Sequence, residues 1–222
     1  MNSLNHVAFI MDGNGRWGEK KRKGRNYGHL KGLDTVKDIV GCSIKLKIPF
    51  VTFYVFSTEN WKRPKSEINF FFKLVISYFQ KELDNIISNG IRLKFIGKIE
   101  KLPINLKTSL KKSAQLTKKN KKIIVNLAIN YGSKDEIVNS AKKTKKKFNL
   151  KNLEKNLFTK NIPDPDILVR TGGHKRLSNF MLWQLAYAEI YFLNKLWPDF
   201  TCKDLKNIIN NFKTVKRNYG SI

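Results

Sequence analysis

The 222-residue chain contains little cysteine and no long apolar run. Its two cysteines, Cys42 and Cys202, lie far apart and in neither a C-x-x-C nor a Cys/His spacing, so the sequence indicates no metal cage and no disulfide framework. We expect two ordinary thiols. No apolar segment approaches the roughly 18 residues that cross a bilayer, and the N-terminal segment lacks the features of a signal peptide. These absences predict a soluble, cytoplasmic protein.

Acidic residues are also scarce, since 17 Asp and Glu stand against 44 Lys and Arg and the formal net charge is +27. Such a charge is typical of proteins that bind nucleic acid. However, lysine runs such as Lys118–Lys122 and Lys142–Lys147 lack the interleaved aromatic residues of a base-stacking surface. We therefore expect no nucleic-acid partner and a solvated basic face, with attraction to acidic membrane surfaces or anionic substrates as the alternative.

Apolar segments alternate with helix-like segments, and a hydrophobic content of 41% is enough for the core of one domain over residues 1–222. Continuous β-branched and aromatic runs, such as Val51–Phe56, suit strands that are buried on both faces. The alternation predicts an α/β fold with a central, mostly parallel six-stranded sheet flanked by helices. The predicted strands are His6–Met11, Phe50–Phe56, Ile91–Ile96, Ile123–Ala128, Ile167–Arg170 and Glu189–Phe192.

One predicted helix, Ser66–Asn89, carries two adjacent apolar stripes instead of one. One stripe covers the sheet. The second packs in the core, lines a tunnel for an apolar ligand or contacts a second copy of the chain, and the pattern alone leaves these three readings open. Ser66 is the predicted N-cap, and Glu67 suits the N-terminal turn.

A glycine-rich segment follows the first predicted strand. Glycines there let backbone N–H groups approach an anion closely, and a following helix N-terminus adds positive potential. With Arg16, Arg25 and His29 nearby, the segment predicts a diphosphate site that is neither a P-loop nor a dinucleotide fingerprint. Asp12, at the strand end, either binds a hard cation that bridges to phosphate oxygens or forms an ion pair with Arg16 or Arg25.

Two further polar segments follow predicted strands, where parallel sheets bind their ligands. Ser57–Arg63 sets polar side chains between aromatic residues, which is the composition of a site that excludes water, with simple helix capping as the alternative. Arg170–Ser178 places cationic and hydroxyl groups around a Gly-Gly turn before a predicted helix near Asn179–Ala186. Two anion sites at neighbouring strand ends indicate two phosphorylated substrates.

Several blocks of residues, in order and over nearly the whole chain, resemble the undecaprenyl diphosphate synthase family of cis-prenyltransferases. The blocks are His6–Trp17 (HVAFIMDGNGRW), Phe56–Pro64 (FSTENWKRP), Asn130–Gly132 (NYG), Val169–Gly173 (VRTGG), Arg176–Phe180 (RLSNF) and Trp183–Phe200 (WQLAYAEIYFLNKLWPDF). The resemblance implies an apolar tunnel, a homodimer, and condensation of isopentenyl diphosphate onto an allylic diphosphate, farnesyl diphosphate, with cis double bonds. Undecaprenyl diphosphate, the lipid-carrier precursor for cell-wall synthesis, is the implied product. Because it is very apolar, we expect transient contact of the basic surface with the inner membrane face.

The resemblance also implies roles for individual residues. Asp12 and Asn60 are the implied catalytic residues, and Asp12 and Glu189 are the implied ligands of Mg²⁺. The residues that hold the allylic diphosphate are Gly13, Asn14, Gly15, Arg16, Arg25 and His29, with Trp17 beside it. Those that shape the substrate site are Ser57, Thr58, Glu59, Trp61 and Arg63. Isopentenyl diphosphate is held by Arg170, Arg176, Leu177 and Ser178.

The chain departs from the family after the Gly-Gly turn, where an acidic residue, often followed by His, is usual and His174-Lys175 stands instead. No metal contact is expected from this pair. A non-catalytic prenyltransferase subunit is an alternative that predicts loss of the metal-binding aspartate, whereas the chain keeps Asp12 and Asn60. The C-terminal Lys216–Gly220 also resembles the tail of single-subunit enzymes.

Overall fold

The structure is a computed structural model that describes residues 2–144 and 148–217. Residues 145–147 of the predicted lysine run and residues 218–220 of the C-terminal motif lie outside the described residues. One six-stranded sheet has the order β3-β4-β2-β1-β5-β6 with every neighbouring pair parallel, which confirms the predicted fold class. The strands are β1 (His6–Ile10), β2 (Phe50–Ser57), β3 (Ile91–Ile96), β4 (Ile123–Tyr131), β5 (Ile167–Arg170) and β6 (Glu189–Phe192).

Side chains of β1 alternate between two cores, because successive residues of a strand point to opposite faces. Val7 and Phe9 pack with the long helices, whereas Ala8 and Ile10 pack with Phe180 and neighbouring apolar residues. Burial on both faces explains why the strand reads as a continuous apolar run. The α-helices are α1 (Asn14–Lys20), α2 (Gly24–Lys45), α3 (Lys65–Ser88), α4 (Ile104–Leu116), α5 (Ser133–Lys143), α6 (Leu150–Glu154) and α7 (Cys202–Thr214).

Helix α3 begins one residue before the prediction, and Ser66 is not its N-cap. Pro64 is the last extended residue, with φ −52° and ψ 137°, and α3 begins at Lys65 directly after it. A proline ring fixes φ and removes an N–H group, so it suits the boundary of a helix start. No side-chain cap is present at this end.

The helix predicted near Asn179–Ala186 is wrong, because this segment consists of turns. Ser178, Asn179 and Met181 have positive φ values of 50°, 62° and 43°, which a right-handed helix does not contain. Contacts with α5 define the turn, since the Ser133 N–H donates to the Asn179 carbonyl at 2.8 Å. The Lys134 N–H donates to the Asn179 side chain, also at 2.8 Å.

The prediction of two ordinary thiols is also wrong, because Cys42 and Cys202 form a disulfide. Cys42 lies in α2 and Cys202 is the first residue of α7, with a Cα–Cα distance of 5.7 Å across a sequence separation of 160 residues. Spacing in the sequence carries no signal of a pair that only the packing of α7 on α2 brings together.

Two apolar cavities lie along α2 and α3. The proximal cavity, of about 390 Å³, opens at the carboxyl ends of the strands, and the distal cavity, of about 370 Å³, adjoins it. Val36, Tyr78, Phe79 and Leu127 line both cavities. The second apolar stripe of α3 therefore faces a cavity, in agreement with the tunnel reading. Within the described ranges, no helix is long and apolar enough to cross a membrane.

Candidate active site

Three neighbouring strands, β2, β1 and β5, end at the same edge of the sheet, and each delivers polar side chains there. Asp12 follows β1, Ser57 closes β2 and Arg170 closes β5. The proximal cavity contacts all three residues as well as apolar side chains such as Phe71 and Val75 of α3. The edge therefore combines charged groups with an apolar wall, as the sequence predicted from strand ends alone.

Asp12 is held between two arginines. Arg16 Nη2 donates to Asp12 Oδ1 at 3.1 Å, and Arg170 Nη2 donates to Asp12 Oδ2 at 3.0 Å. The backbone of Asp12 is held too, because its carbonyl accepts from Thr171 Oγ1 at 2.8 Å and from the Trp197 N–H at 3.1 Å. The alternative of an ion pair with Arg16 is thus present, but the carboxylate remains 26% exposed towards the cavity.

Arg170 is the anchor of the second predicted anion site. Its guanidinium is 4% exposed and donates through Nη1 to Ser178 Oγ at 2.8 Å and to the Arg176 carbonyl. Arg176 and Ser178 line the proximal cavity beside it, while the Leu177 side chain packs on the core of the opposite face. The site is built from an irregular turn that brings a buried cation and a hydroxyl to one point.

Glycine is required where this turn meets Asp12. Gly172 has a φ of 87°, and a Cβ at this position would lie 2.6 Å from Arg16 Nη2 and 3.0 Å from Asp12 Cβ. Its carbonyl accepts from Arg16 Nη2 at 2.8 Å. The two predicted anion sites therefore touch through Arg16 and Gly172, and a side chain at position 172 would separate them.

The first predicted anion site is built on the start of α1. Gly13 precedes the helix with a φ of 108°, and Asn14, Gly15 and Arg16 form the first turn, whose N–H groups have no intrahelical partner. Asn14 Nδ2 donates to the Met11 carbonyl at 3.1 Å. The helix start that was predicted after the glycine-rich segment is therefore present, and the binding of an anion there stays a prediction.

Trp17 lies beside this turn, although its indole is turned towards other partners. Trp17 Nε1 donates to Asp199 Oδ1 at 2.7 Å, and its ring stacks on Tyr27 at 5.9 Å between centroids. The residue thus ties α1 to α2 and to the segment after β6, a role that the sequence did not predict.

Glu67, which the sequence indicated only as part of the N-terminal turn of a helix, lies among the cationic side chains of the site. Glu67 is 3.3 Å from Arg63, 3.8 Å from Arg25 and 3.9 Å from His29. The i,i+4 spacing of Arg63 and Glu67 at a helix start was a usable signal for one of these contacts. Only the packing of α2 against α3 brings Arg25 and His29 to the same carboxylate.

His29 is a neutral imidazole at neutral pH. Burial, together with the charge of Arg63, lowers the pKa of His29 to about 4, although Glu67 acts in the opposite direction. The 3.9 Å approach of His29 Nε2 to Glu67 is therefore not an ion pair near pH 7. His29 lines the proximal cavity, where a neutral ring can donate one hydrogen bond to an anion.

The segment after β2 is fixed by its own hydrogen bonds. Asn60 Oδ1 accepts from the Ser57 N–H at 3.0 Å, and Trp61 Nε1 donates to Asn130 Oδ1 at 2.8 Å. Both Ser57 and Asn60 line the proximal cavity. These bonds agree with the alternative that the segment serves as a helix cap. The Asn60 amide nevertheless also lies at the cavity.

Thr58 and Glu59 connect the segment after β2 with the turn that carries Ser178. Thr58 Oγ1 donates to Glu59 Oε2 at 3.1 Å, and Glu59 Oε1 accepts from Asn179 Nδ2 at 2.8 Å. Tyr54 adds a further link that the sequence did not predict, because its hydroxyl lies 3.3 Å from the Ser178 carbonyl. Thr58 and Glu59 support the turn that carries Ser178 from outside the cavity lining, whereas Tyr54 also lines the proximal cavity.

Glu189 is not brought to Asp12 within one chain. It opens β6, paired in register with Ile167, and so lies at the amino edge of the sheet, whereas Asp12 lies at the carboxyl edge. Its assignment as a metal ligand therefore stays a prediction. Across residues 2–144 and 148–217, no group of three or more His, Cys, Asp or Glu is placed to hold a metal ion.

Comparisons with known proteins are consistent with this geometry. Residues 10–220 match the family profile described as "Putative undecaprenyl diphosphate synthase". The chain is 40% identical to an isoprenyl transferase of Rickettsia typhi, covering 99% of both chains. It is 42% identical to an isoprenyl transferase of Prochlorococcus marinus subsp. pastoris, covering 98% of this chain and 84% of the relative.

Two solved structures share the whole fold. Lavandulyl diphosphate synthase from Lavandula x intermedia, in complex with dimethylallyl diphosphate, matches with a TM-score of 0.93 and 30% identity over 98% of each chain. A protein from Campylobacter jejuni described as a probable undecaprenyl diphosphate synthase matches with a TM-score of 0.86 and 37% identity over 100% of each chain.

Proposed function

The chain belongs to the undecaprenyl diphosphate synthase family, and on that premise we propose that it adds isopentenyl units to farnesyl diphosphate to give undecaprenyl diphosphate. The chain is a prenyltransferase enzyme, and its membership of this family supports cis-prenyltransferase activity. The proposal adds the identity of the allylic substrate, the product length and a role of the product as the lipid-carrier precursor in cell-wall synthesis.

One observation carries the proposal: a single cavity joins Asp12 and Arg170 to an apolar wall. The proximal cavity of about 390 Å³ contacts Asp12, Arg170 and Ser178 at one end and Val75, Phe79 and other apolar side chains along α3. A molecule with a charged head and a hydrocarbon tail matches both parts. The adjoining distal cavity of about 370 Å³ extends the apolar part, which favours a long tail over a short one.

The first anion site is proposed to bind the allylic diphosphate. Free N–H groups at the start of α1, Arg16 and Arg25 offer donors to the phosphate oxygens, and neutral His29 offers one more. As the carbon–oxygen bond breaks, negative charge grows on the departing oxygens, where fixed donors stabilise the transition state more than the ground state. Gly15 leaves room for Arg25 at this site, since a Cβ there would lie 2.7 Å from Arg25 Cζ.

The second anion site is proposed to bind isopentenyl diphosphate through Arg170, Arg176 and Ser178. Because Arg16 contacts both Asp12 and Gly172, the two diphosphates would lie next to each other, which fixes the geometry of attack by the isopentenyl double bond. Asn60 is proposed to assist removal of the proton that follows this attack. Its Oδ1 accepts one hydrogen bond from Ser57, which leaves a second lone pair of this oxygen.

Prenyl diphosphate synthases generally need a divalent metal ion, and we propose that Asp12 binds Mg²⁺ together with diphosphate oxygens. Asp12 is a carboxylate that lines the proximal cavity, and Mg²⁺ is commonly bound by one or two carboxylates plus substrate phosphates. The donor set of one carboxylate beside two diphosphate sites therefore fits this ion. When bound, Mg²⁺ supplies positive charge that neutralises the departing diphosphate.

A homodimer and a transient contact with membranes complete the proposal. The strand β6 lies at the edge of the sheet and exposes 39% of Ile190, which a second copy of the chain would cover. Sedimentation equilibrium would report the dimer. The basic surface would attract acidic lipids, and sedimentation with liposomes that contain acidic lipid would report it; absence of binding at moderate salt would contradict this part.

Incubation with farnesyl diphosphate, radiolabelled isopentenyl diphosphate and Mg²⁺, followed by separation of products by chain length, tests the function. We expect label in a polyprenyl product of eleven isoprene units, as the family name implies, and none after chelation of the metal. Label confined to a much shorter product would contradict the product length. Absence of label with any allylic diphosphate would contradict the function as a whole.

A further inference from the structure

The disulfide lies in the wall of the distal cavity. Cys42 of α2 and Cys202 of α7 both line this cavity, opposite Tyr78, Phe79 and Glu82 of α3. At this point the cavity wall is formed by two helices that the chain joins only through a long intervening sequence. The bond therefore fixes the distance between α2 and the first residue of α7 where they enclose the apolar space.

Helix α7 does not need the bond to stay packed. Its apolar face is almost completely buried through Leu205, Ile208, Ile209 and Phe212, which are 0 to 7% exposed. Its N-terminus is capped, since the Asp204 N–H donates to Thr201 Oγ1 at 3.3 Å and the Thr201 N–H donates to Asp204 Oδ2 at 2.8 Å. Opening the bond would therefore remove the covalent cross-link between α2 and the start of α7, while the cap and the buried face keep the helix folded and packed.

The two cysteine residues differ in their exposure to solvent. Cys42 is 3% exposed, whereas Cys202 is half-buried at the start of α7. A small thiol can thus reach the bond from the Cys202 side. Exchange is governed by the access of a thiolate to one of the sulfurs, and accessible disulfides are the labile ones.

We propose that Cys42 and Cys202 form a reversible redox site whose state sets how far the distal cavity can expand. A low-molecular-weight thiol such as glutathione attacks Cys202 Sγ as the thiolate and forms a mixed disulfide with it. The bond between Cys202 and Cys42 breaks, and Cys42 leaves as a thiolate that then takes up a proton. A second glutathione then cleaves the mixed disulfide, so that two cysteine thiols and one glutathione disulfide result. The reverse exchange with glutathione disulfide closes the bond.

The consequence concerns product length and rests on the proposed function. With the bond closed, α2 and α7 are fixed and the growing chain meets a rigid distal wall. With the bond open, the first turn of α7 can move away from α2, and a longer chain fits. At the carboxyl edge of the sheet, Asp12 and Arg170 line the proximal cavity, whose lining includes neither cysteine. Redox state should therefore change chain length more than the rate of the first addition.

The redox state of the two cysteines is measured first, on the full chain without substrate. Air-oxidised protein unfolded in denaturant should give no titratable thiol, and protein pretreated with dithiothreitol should give two. Equilibration in glutathione buffers of varied ratio should convert one state to the other. Two thiols before reduction, or a bond that persists in reduced glutathione, would overturn the proposal.

Local structure is tested by hydrogen exchange on the same samples. Reduction should raise exchange in the first turn of α7 and in the last turns of α2, and leave α1 and the start of α3 unchanged. The thermal midpoint should fall by roughly 5 to 15 °C, because the bond closes a long loop. A Cys42→Ser/Cys202→Ser double variant should resemble reduced wild type in both measurements. Addition of dithiothreitol should change neither its hydrogen exchange nor its thermal midpoint. Equal hydrogen exchange in the two redox states would overturn the proposal that the disulfide holds α2 and α7 together.

Product length is tested last, with oxidised and reduced protein. Reduction should shift the main product by at least one isoprenyl unit towards longer chains, and the double variant should give the longer pattern in either buffer. Identical patterns from oxidised and reduced wild type would overturn the proposal. If neither redox state incorporates label, the proposed function fails instead. Thiol counts and hydrogen exchange still decide whether Cys42 and Cys202 form a reversible redox site.

Discussion

The two edges of the sheet carry similar polar residues but differ in how the chain satisfies them. At the amino edge, buried His6 bonds to the Pro163 carbonyl at 2.6 Å through Nδ1 and to Thr52 Oγ1 at 2.7 Å through Nε2. A carbonyl can only accept, so Nδ1 carries the proton and Nε2 accepts from the Thr52 hydroxyl. Asp166 accepts from the N–H groups of Asn5 and His6. The chain itself completes these hydrogen bonds.

At the carboxyl edge the chain leaves bonds unmade. Of the five buried side-chain polar atoms that lack a partner within the described part of the chain, three lie there: Asn14 Oδ1, His29 Nε2 and Arg170 Nε. An unsatisfied buried polar group costs on the order of 1–3 kcal/mol. The network around His6 and Thr52 leaves one such atom, Asn126 Oδ1. The amino edge therefore contributes mainly to stability, whereas the carboxyl edge retains more capacity that a ligand would use.

Removal of the Asp12 charge should have the largest effect. Asp12→Asn keeps the size of the side chain but loses the charge proposed to bind Mg²⁺, so we expect kcat to fall on the order of 10³-fold. Steady-state kinetics with farnesyl and isopentenyl diphosphates would measure it. Asp34→Asn, at an exposed carboxylate that pairs with Lys31, is the matched control and should leave kcat unchanged. A loss below tenfold for Asp12→Asn would contradict the assignment.

Substitution of Arg170 tests whether fixed geometry or charge alone matters at this edge. Arg170→Lys retains the charge but cannot contact Asp12, Ser178 and the Arg176 carbonyl together, so kcat/KM for isopentenyl diphosphate should fall about 10²-fold. Arg92→Lys on β3 serves as the control. Equal kinetics for Arg170→Lys and wild type would show that this site needs only charge.

The amino edge should respond to pH through stability. Burial lowers the pKa of His6 from 6.5 to about 4, although Pro163 and Asp166 act to raise it. The stabilisation is thus complete above pH 6.5 and is lost as the pH falls towards 4, by about 2 kcal/mol between pH 7 and pH 5. Urea unfolding of wild type and His6→Gln at both pH values would isolate this contribution.

Comparison with the variant is needed because other groups titrate in the same range. Burial raises the pKa of Asp164 to about 6, which stabilises the fold at low pH and is lost as pH rises. That effect is common to wild type and His6→Gln and therefore cancels. Equal losses of stability in the two proteins would show that His6 is not held neutral.

Loss of the Glu67 charge should have the smallest of these effects. Glu67→Gln leaves Arg25, His29 and Arg63 without their shared carboxylate, so the KM for the allylic diphosphate should rise about tenfold, the magnitude of one charge-assisted contact. Glu100→Gln, an exposed carboxylate near Lys107 and Lys111, is the control. A lower KM would show that Glu67 competes with the diphosphate instead of positioning its ligands.

Much of the site was predictable from sequence because it follows strand ends. The turn after β1 and the charged groups after β2 and β5 each stand directly behind an apolar run, and parallel strands bring their carboxyl ends together. The central position of Glu67 and the support from Tyr54 and Asn179 were not predicted, because each depends on contacts between segments more than 30 residues apart. The turns after Gly173 were mistaken for a helix, because positive φ at Ser178 and Met181 is imposed by tertiary contacts.

The sequence by itself determined the six strands of the parallel sheet and indicated two segments as candidate anion sites, since local runs of buried residues and glycine-rich turns carry that information. Only the tertiary structure decided that Asp12 stands between two arginines, that Glu67 gathers three cationic or imidazole side chains, and that Glu189 lies at the opposite edge. It also decided that Cys42 meets Cys202 across 160 residues. The physical reason is the same in each case: a contact between distant segments is set by how helices pack on the sheet, and no local pattern records it.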